Sequence, residues 1–434
     1  MKRINWSLLW STEDWWTIWL AGILMVLVGL GVISYVPKLP KWSGDITLGL
    51  PTEMIPSLLL LGIGLALLTG IAIAVMKKDG SEFGKYLIGF PVVFILAVLA
   101  YVLGNETTMR HYGVNDVIWA LILGLFVSNV FGKPKWLVPA LRTELLIKTG
   151  LVLMGAEILF NRILSLGVYG LGVAWIVTPI VIYFMYRYGT NTLAMQDKSL
   201  VATIAACTSV CGVSAAIATG AATKAKKEEI SLTISISLIF TVLMMIGLPI
   251  LIKFMGLSEY VGGAWIGGTV DSTGAVVVAG SMVGSTAMEV AAIIKMLQNI
   301  LIGFVAFFFA VLFASKVENG DQAVRPSLME IWNRLPKFVI GFVLASVIFS
   351  FVLIPSLGQA KVDSILNLTG TLKSWLFTLA FVSIGLDSRF SDMMKVSKGG
   401  KPVKLYVVGQ TFNIVLTLIA AWIFFGGYFF PLVS

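Results

Sequence analysis

Thirteen apolar runs of membrane-spanning length, or slightly short of it, leave this 434-residue chain little choice of fold. They cover residues 15–36, 54–76, 86–104, 117–131, 145–160, 166–187, 200–221, 230–255, 262–283, 286–315, 336–357, 372–386 and 403–428. Three of these, 117–131, 145–160 and 372–386, are short or interrupted. In hydrocarbon every backbone polar group must be satisfied within the segment, so such runs form helices. Charged residues make up only 12% of the chain, about half the share of a soluble domain. The expected fold is an all-α polytopic membrane protein with about 13 transmembrane helices.

The formal charge of +9 does not call for nucleic acid, because Lys and Arg sit in short loops between apolar runs, as orientation signals do. With the N-terminus inside, inner segments hold 19 basic residues and outer segments 9. The inner set includes Lys2, Arg3, Lys316, Arg325, Arg334, Arg389, Lys395 and Lys398. The C-terminus then lies outside, and the inner (cytoplasmic) membrane is the expected location. One loop disobeys: Lys224, Lys226 and Lys227 would be external. Either Glu228 and Glu229 soften that conflict, or a nearby run is only re-entrant. Glu13 and Asp14 precede the first run and no small-residue cleavage site follows, so a retained first span is expected rather than a signal peptide.

Counting back from the C-terminus, ten runs divide as five plus five. N-terminal helices (1–104) precede a first repeat (117–255) and a second (262–428). An odd number per repeat forces the two to run in opposite senses, the architecture of many secondary transporters. The runs 200–221 and 372–386, the latter followed by Asp387, are each fourth in their set.

Two runs are unusual in kind. Residues 200–221 are apolar overall yet small and hydroxylated. On one helix Thr203, Cys207, Cys211 and Ser214 would form a polar stripe, with Gly212 inside it and Thr208 and Ser209 one turn before. Such a face suits close packing or a hydrated site rather than lipid. A Gly-containing centre is also where transporters unwind a helix. The second run has four glycines before Thr269, Asp271, Ser272, Thr273 and Gly274. Asp271 or Ser272 could simply cap the helix that follows. The functional alternative is that free N–H groups at that helix start hold an anion. An acid at membrane depth is expensive and usually has a role.

Lys295 and Asn299 lie one turn apart in the next run, with Gln298 beside them. Lys295 could neutralise Asp271, attract an anionic substrate, or snorkel. Glu157, with Asn161 and Arg162, ends one short run, and Asp387 with Arg389 ends another. These look mostly interfacial, Glu157 being the acid expected to reach a cavity. Cys207 and Cys211 are read as small packing residues. The only histidine, His111, falls in a loop beside Arg110, so a His-based metal site is not expected. No Walker-type run supports ATP drive.

Gly150-Leu151-Val152-Leu153-Met154-Gly155, Cys211-Gly212-Val213-Ser214-Ala215, the 267–280 segment and Lys295-Met296 resemble the UPF0324 membrane family, the YeiH-like proteins often labelled sulfate exporters. The resemblance covers roughly residues 117–428. Many members have His-Glu where this chain has Asp271-Ser272, and Arg where it has Gln298. The family is similar to the cation/proton antiporter and bile-acid symporter superfamily, which implies an inverted repeat with two broken, crossing helices.

The expected function is secondary transport of a small anion, sulfate or organosulfonate-like, coupled to H+ or Na+. Thr208, Ser209, Cys211, Gly212, Ser214, Thr269, Ser272, Thr273, Gly274, Lys295 and Asn299 would bind substrate. Asp271 and Glu157 would carry the coupling ion. A Na+/H+ antiporter is the alternative within this class, with Asp271 as carrier and Lys295 its exchanging partner. An intramembrane enzyme would need a converging acid–base or metal set, and none is visible. No cofactor beyond bound Na+ or H+ is expected. The partners are the anion and membrane lipid, not nucleic acid, and a homodimer is left open.

Overall fold

The computed structural model describes residues 8–111, 114–314, 332, 335–388 and 400–431. The orientation charges Lys2, Arg3, Lys316, Arg325, Arg334, Arg389, Lys395 and Lys398 lie outside the described residues. Among those residues the chain is helical, with a single isolated bridge, Trp42 to Glu106, and no strand.

Besides short helical turns, the helices are α1 (Glu13–Gly29), α2 (Ile55–Lys77), α3 (Gly80–Gly104), α4 (Asp116–Val130) and α5 (Thr143–Glu157). Then come α6 (Phe160–Thr192), α7 (Lys198–Ser209), α8 (Val213–Thr223) and α9 (Lys227–Phe254). The remainder are α10 (Glu259–Thr269), α11 (Thr273–Val283), α12 (Ser285–Ala314), α13 (Lys337–Leu357), α14 (Gln359–Asp387) and α15 (Gly400–Phe425). Among the described residues, eight helices are long and apolar enough to cross a membrane: α2, α3, α6, α9, α12, α13, α14 and α15. The short run 372–386 is no separate element; it is the buried half of the 29-residue α14. His111 ends a five-residue helix, Thr107–His111, rather than lying in a loop.

Two compact units form. One holds residues 1–162 and 337–389, the other 163–336 and 390–434. In the first unit, α1 is tied down by Asp14, which accepts from Lys148 Nζ of α5 (3.0 Å) and from the Lys337 backbone N–H at the start of α13 (3.0 Å). Helices α4 and α14 pack backbone to backbone, because a Cβ on Gly124 would meet Gly385 Cα at 2.8 Å. Close approach through small residues is how helices associate where no hydrophobic effect drives them.

The second unit contains two helical hairpins. Helix α7, of 12 residues, rises about 18 Å, and α8 is similar. Were they one broken span, their outer ends would stand about 35 Å apart. Instead Ser199, in the first turn of α7, donates to Glu229 Oε2 just beyond α8 (3.1 Å), and Lys226 Nζ lies 3.9 Å from Asp197 Oδ2. The chain therefore enters and leaves on one side. Helices α10 and α11 behave alike: Glu259, first residue of α10, accepts from the N–H groups of Thr286 (2.9 Å) and Ala287 (3.2 Å), just past α11. Residues 200–221 and 262–283 thus each fold back as a hairpin whose two ends lie together. The turn at 210–212 also ends the stripe drawn from Thr203 to Ser214, since Cys211 and Ser214 are no longer on the helix of Thr203 and Cys207.

Candidate functional site

The hairpins meet at their tips. Gly212 adopts φ +55, in the left-handed region open to glycine, and turns α7 into α8. A Cβ there would stand 2.9 Å from Ser237 Oγ of α9 and 3.1 Å from the Asp271 carbonyl oxygen. Asp271 is the tip of the other hairpin, between α10 and α11.

Each tip is bounded by the C-terminal end of one short helix and the N-terminal end of the next. The carbonyls ending α7 and α10 carry negative partial charge and need donors. They receive them from three longer helices. Lys295 of α12, 1% exposed, donates to Val210 O and, at 2.6 Å, to Gln298 Oε1. Gln298 Nε2 then reaches Ser209 O (3.0 Å) on one hairpin and Gly268 O (3.1 Å) on the other, and Thr178 Oγ1 of α6, which accepts from Gln298 Nε2 at 3.3 Å, itself donates to Ser209 O (3.2 Å). From α15, Gln410 Nε2 donates to Thr269 O (3.0 Å) and Asn413 Nδ2 to Thr208 O (3.4 Å). The opposite ends, where α8 and α11 begin, have no side-chain cap.

Asp271, also 1% exposed, accepts at Oδ2 from Tyr406 Oη of α15 and from Ser237 Oγ (3.3 Å). Its Oδ1 has no partner among the described residues. Burial of an acid in a span is costly unless it is bonded or bound to a cation. Asp271 and Lys295 act on each other electrostatically but form no ion pair, each being bonded elsewhere. The direct neutralising pair is therefore absent. Capping by Asp271 or Ser272 is likewise absent: the carboxylate turns to Tyr406, and Ser272 makes no cap bond to α11.

The other residues singled out in the sequence fall into three groups. At the tips, Thr273 Oγ1 accepts from Asn299 Nδ2 (3.1 Å), Thr269 is buried with a free hydroxyl, Gly274 is buried in the first turn of α11, and Ser214 is exposed in the first turn of α8. Thr208 and Ser209 contribute carbonyls rather than hydroxyls, because their Oγ atoms bond back to Ile204 O (2.8 Å) and Ala205 O (2.7 Å). Cys211 packs in an apolar cluster with Ile302, Ala306 and Phe309.

Glu157 is not brought to this site. It ends α5 in the first unit and pairs with Lys373, while Asn161 and Arg162 begin the next helix. Asp387 pairs with Lys133 at 2.6 Å and is exposed, as an interfacial acid should be; Arg389 lies outside the described residues.

Tyr406, Gln410 and Asn413 escaped the sequence reading, as did Ser237 and Thr178. A signal for three of them is present: Tyr406, Gln410, Asn413 and Thr417 recur at i, i+4, i+7 and i+11 in an otherwise apolar run. All four are buried, and Thr417 Oγ1 donates to Asn413 Oδ1 (2.9 Å).

A family model described as conserved hypothetical protein 698 matches residues 88–405. A UPF0324 membrane protein of Nitratidesulfovibrio vulgaris is 48% identical over 81% of this chain and 61% of its own length. UPF0324 membrane protein RB9488 of Rhodopirellula baltica is 46% identical over 90% of this chain and 72% of its own. UPF0324 membrane protein NE0724 of Nitrosomonas europaea is 27% identical over 96% of both. The chain spans about three-fifths of the length of the first of these relatives. No solved structure matches it. With its apolar helices and this likeness over most of its length, the chain is a multi-pass membrane protein and belongs to the UPF0324 family.

Proposed function

We propose that the protein is a secondary transporter of a small anion, of the sulfate or organosulfonate class. The observation that carries this reading is the unlike treatment of the helix ends at the tips. The carbonyl ends of α7 and α10 are covered by Lys295, Gln298, Gln410 and Asn413. The N-terminal ends of α8 and α11 are left without side-chain caps. Two positive helix ends and one ammonium then converge near the middle of the bilayer, which favours a compact anion. Exposed Ser214 leaves the start of α8 open to it.

Topology supports alternating access. With the first hairpin entering from inside, Lys224, Lys226 and Lys227 move to the inner side, and the basic split rises from 19 against 9 to 22 against 6. The N-terminus stays inside and the C-terminus outside, with the second hairpin entering from the outer face. Helices α4, α5, α6, the first hairpin and α9 then have oppositely directed counterparts in α13, α14, α15, the second hairpin and α12. The inverted repeat is thus permuted in chain order: the hairpins pair with each other, and 200–221 does not pair with 372–386.

The test is uptake into proteoliposomes of radiolabelled sulfate and taurine under imposed Na+ or proton gradients, with thermal-shift screening of the same anions. Gradient-dependent accumulation is expected, lost in Ser214→Leu protein that remains monodisperse. Na+/H+ exchange with no anion uptake or stabilisation would replace this reading with the antiporter.

A further inference from the structure

Six buried side-chain polar atoms lack a partner among the described residues, and four of them belong to one hairpin tip or to side chains bonded to it: Thr269 Oγ1, Asp271 Oδ1, Asn299 Oδ1 and Gln410 Oε1. All are oxygens. Buried polar groups in folded proteins are nearly always satisfied, so a cluster of exceptions needs a cause. We infer that these four oxygens form a binding site for one sodium ion at the tip of the second hairpin.

The connectivity holds them together. Gln410 spends its amide nitrogen on Thr269 O and Asn299 spends its own on Thr273 Oγ1, which leaves both amide oxygens over. Asp271 lies midway between Thr269 and Thr273, and its Oδ2 is already taken by Tyr406 and Ser237. Oδ1 is the atom left to meet a cation. A carboxylate, two amide oxygens and a hydroxyl are hard donors, suited to an alkali or alkaline-earth ion rather than a thiophilic metal.

Charge selects among these. The donor set carries one carboxylate, and no group of three His, Cys, Asp or Glu side chains able to hold a metal occurs among the described residues. Lys295 adds a positive charge close enough to act on Asp271. A divalent ion would be left under-neutralised in a low-dielectric site, whereas a single charge is balanced by Asp271. Interrupted membrane helices are also where transporters coordinate sodium.

Sodium here would favour anion capture at the adjoining helix ends, because it cancels the one charge that opposes an anion. This deepens the transporter reading and rests on its placing Asp271 at the ion-carrying position, but the site is tested without any substrate. Purified full-length protein in detergent, in gluconate buffer, is titrated with 22Na+ by equilibrium dialysis. Thermal midpoints are followed in Na+, Li+, K+ and choline at constant ionic strength. One saturable Na+ per chain is expected, with K+ and choline competing at least tenfold less well. Asp271→Asn should abolish binding. Thr269→Ala, which removes a single hydroxyl and keeps the fold, should weaken it about tenfold, or about 1.4 kcal/mol. Absence of saturable Na+ binding in the wild type overturns the site and leaves a proton as the coupling ion. So does Na+ affinity that is unchanged in both variants. Intact Na+ binding without any anion transport supports the site while overturning the transporter reading alone.

Discussion

Gly212 and Asp271 face each other across the tips of two different hairpins, so close that a Cβ on Gly212 would stand 3.1 Å from the Asp271 carbonyl oxygen. The glycine does two jobs there. Its φ of +55 reverses the chain, and its missing side chain lets one tip rest on the other.

Gly212→Ala is therefore expected to destabilise the protein by about 1–3 kcal/mol, through backbone strain and the contact with Ser237 and Asp271. Thermal unfolding in detergent and uptake assays should both fall. Wild-type values in both would show that the tip contact is dispensable.

The hairpins make a cross-linking prediction. In a Cys207→Ala, Cys211→Ala background, the pairs Ser199→Cys with Glu229→Cys and Glu259→Cys with Thr286→Cys should each join within one chain under mild oxidation or with a short bis-maleimide. The basis is the bonding of Ser199 to Glu229 and of Glu259 to the Thr286 N–H. Spanning segments would hold each pair about 30 Å apart and give no cross-link.

Sidedness follows from the basic residues. Ala225→Cys should label with an impermeant thiol reagent only after permeabilisation, whereas Met255→Cys and Pro431→Cys should label in intact cells. Labelling of Ala225→Cys from outside would restore a spanning 200–221 segment and overturn the permuted repeat.

Lys295 and Gln298 can be separated by substitution. Lys295→Met leaves Val210 O and Gln298 Oε1 without their donor, while Gln298→Leu removes the donor to Gly268 O and one of two donors to Ser209 O, which keeps Thr178 Oγ1 (3.2 Å). Each should cost about 1–3 kcal/mol for the buried acceptors left unsatisfied. Only Lys295→Met removes the positive charge, so it should weaken anion binding by more than about tenfold beyond the effect of Gln298→Leu. Equal losses, measured by anion-induced thermal shift, would show that Lys295 serves packing alone.

Much of this protein is set by local chemistry and is legible in its residues. Apolar runs must be helical in lipid, since no solvent there can satisfy a bare backbone, and each run seen in the sequence is built mainly of helix where it is described, although residues 30–36 of the first run and the turns at 210–212 and 270–272 are not helical. Asp271 and Lys295 stand out because ionised groups are so costly at that depth. Even the misplaced charge of Lys224, Lys226 and Lys227 marked the segment before it as unusual. Whether that segment crosses the membrane or returns was not decided locally. A 22-residue run that is apolar overall, with a glycine near the middle, fits a span or a hairpin equally, and the choice rests on Ser199 meeting Glu229, thirty positions away. Likewise Asp271 could have paired with Lys295, capped α11 or bonded Tyr406, since each partner is within reach of a flexible side chain. Only the packing of α9, α12 and α15 around the two tips assigns the donors, and with them the four oxygens left over.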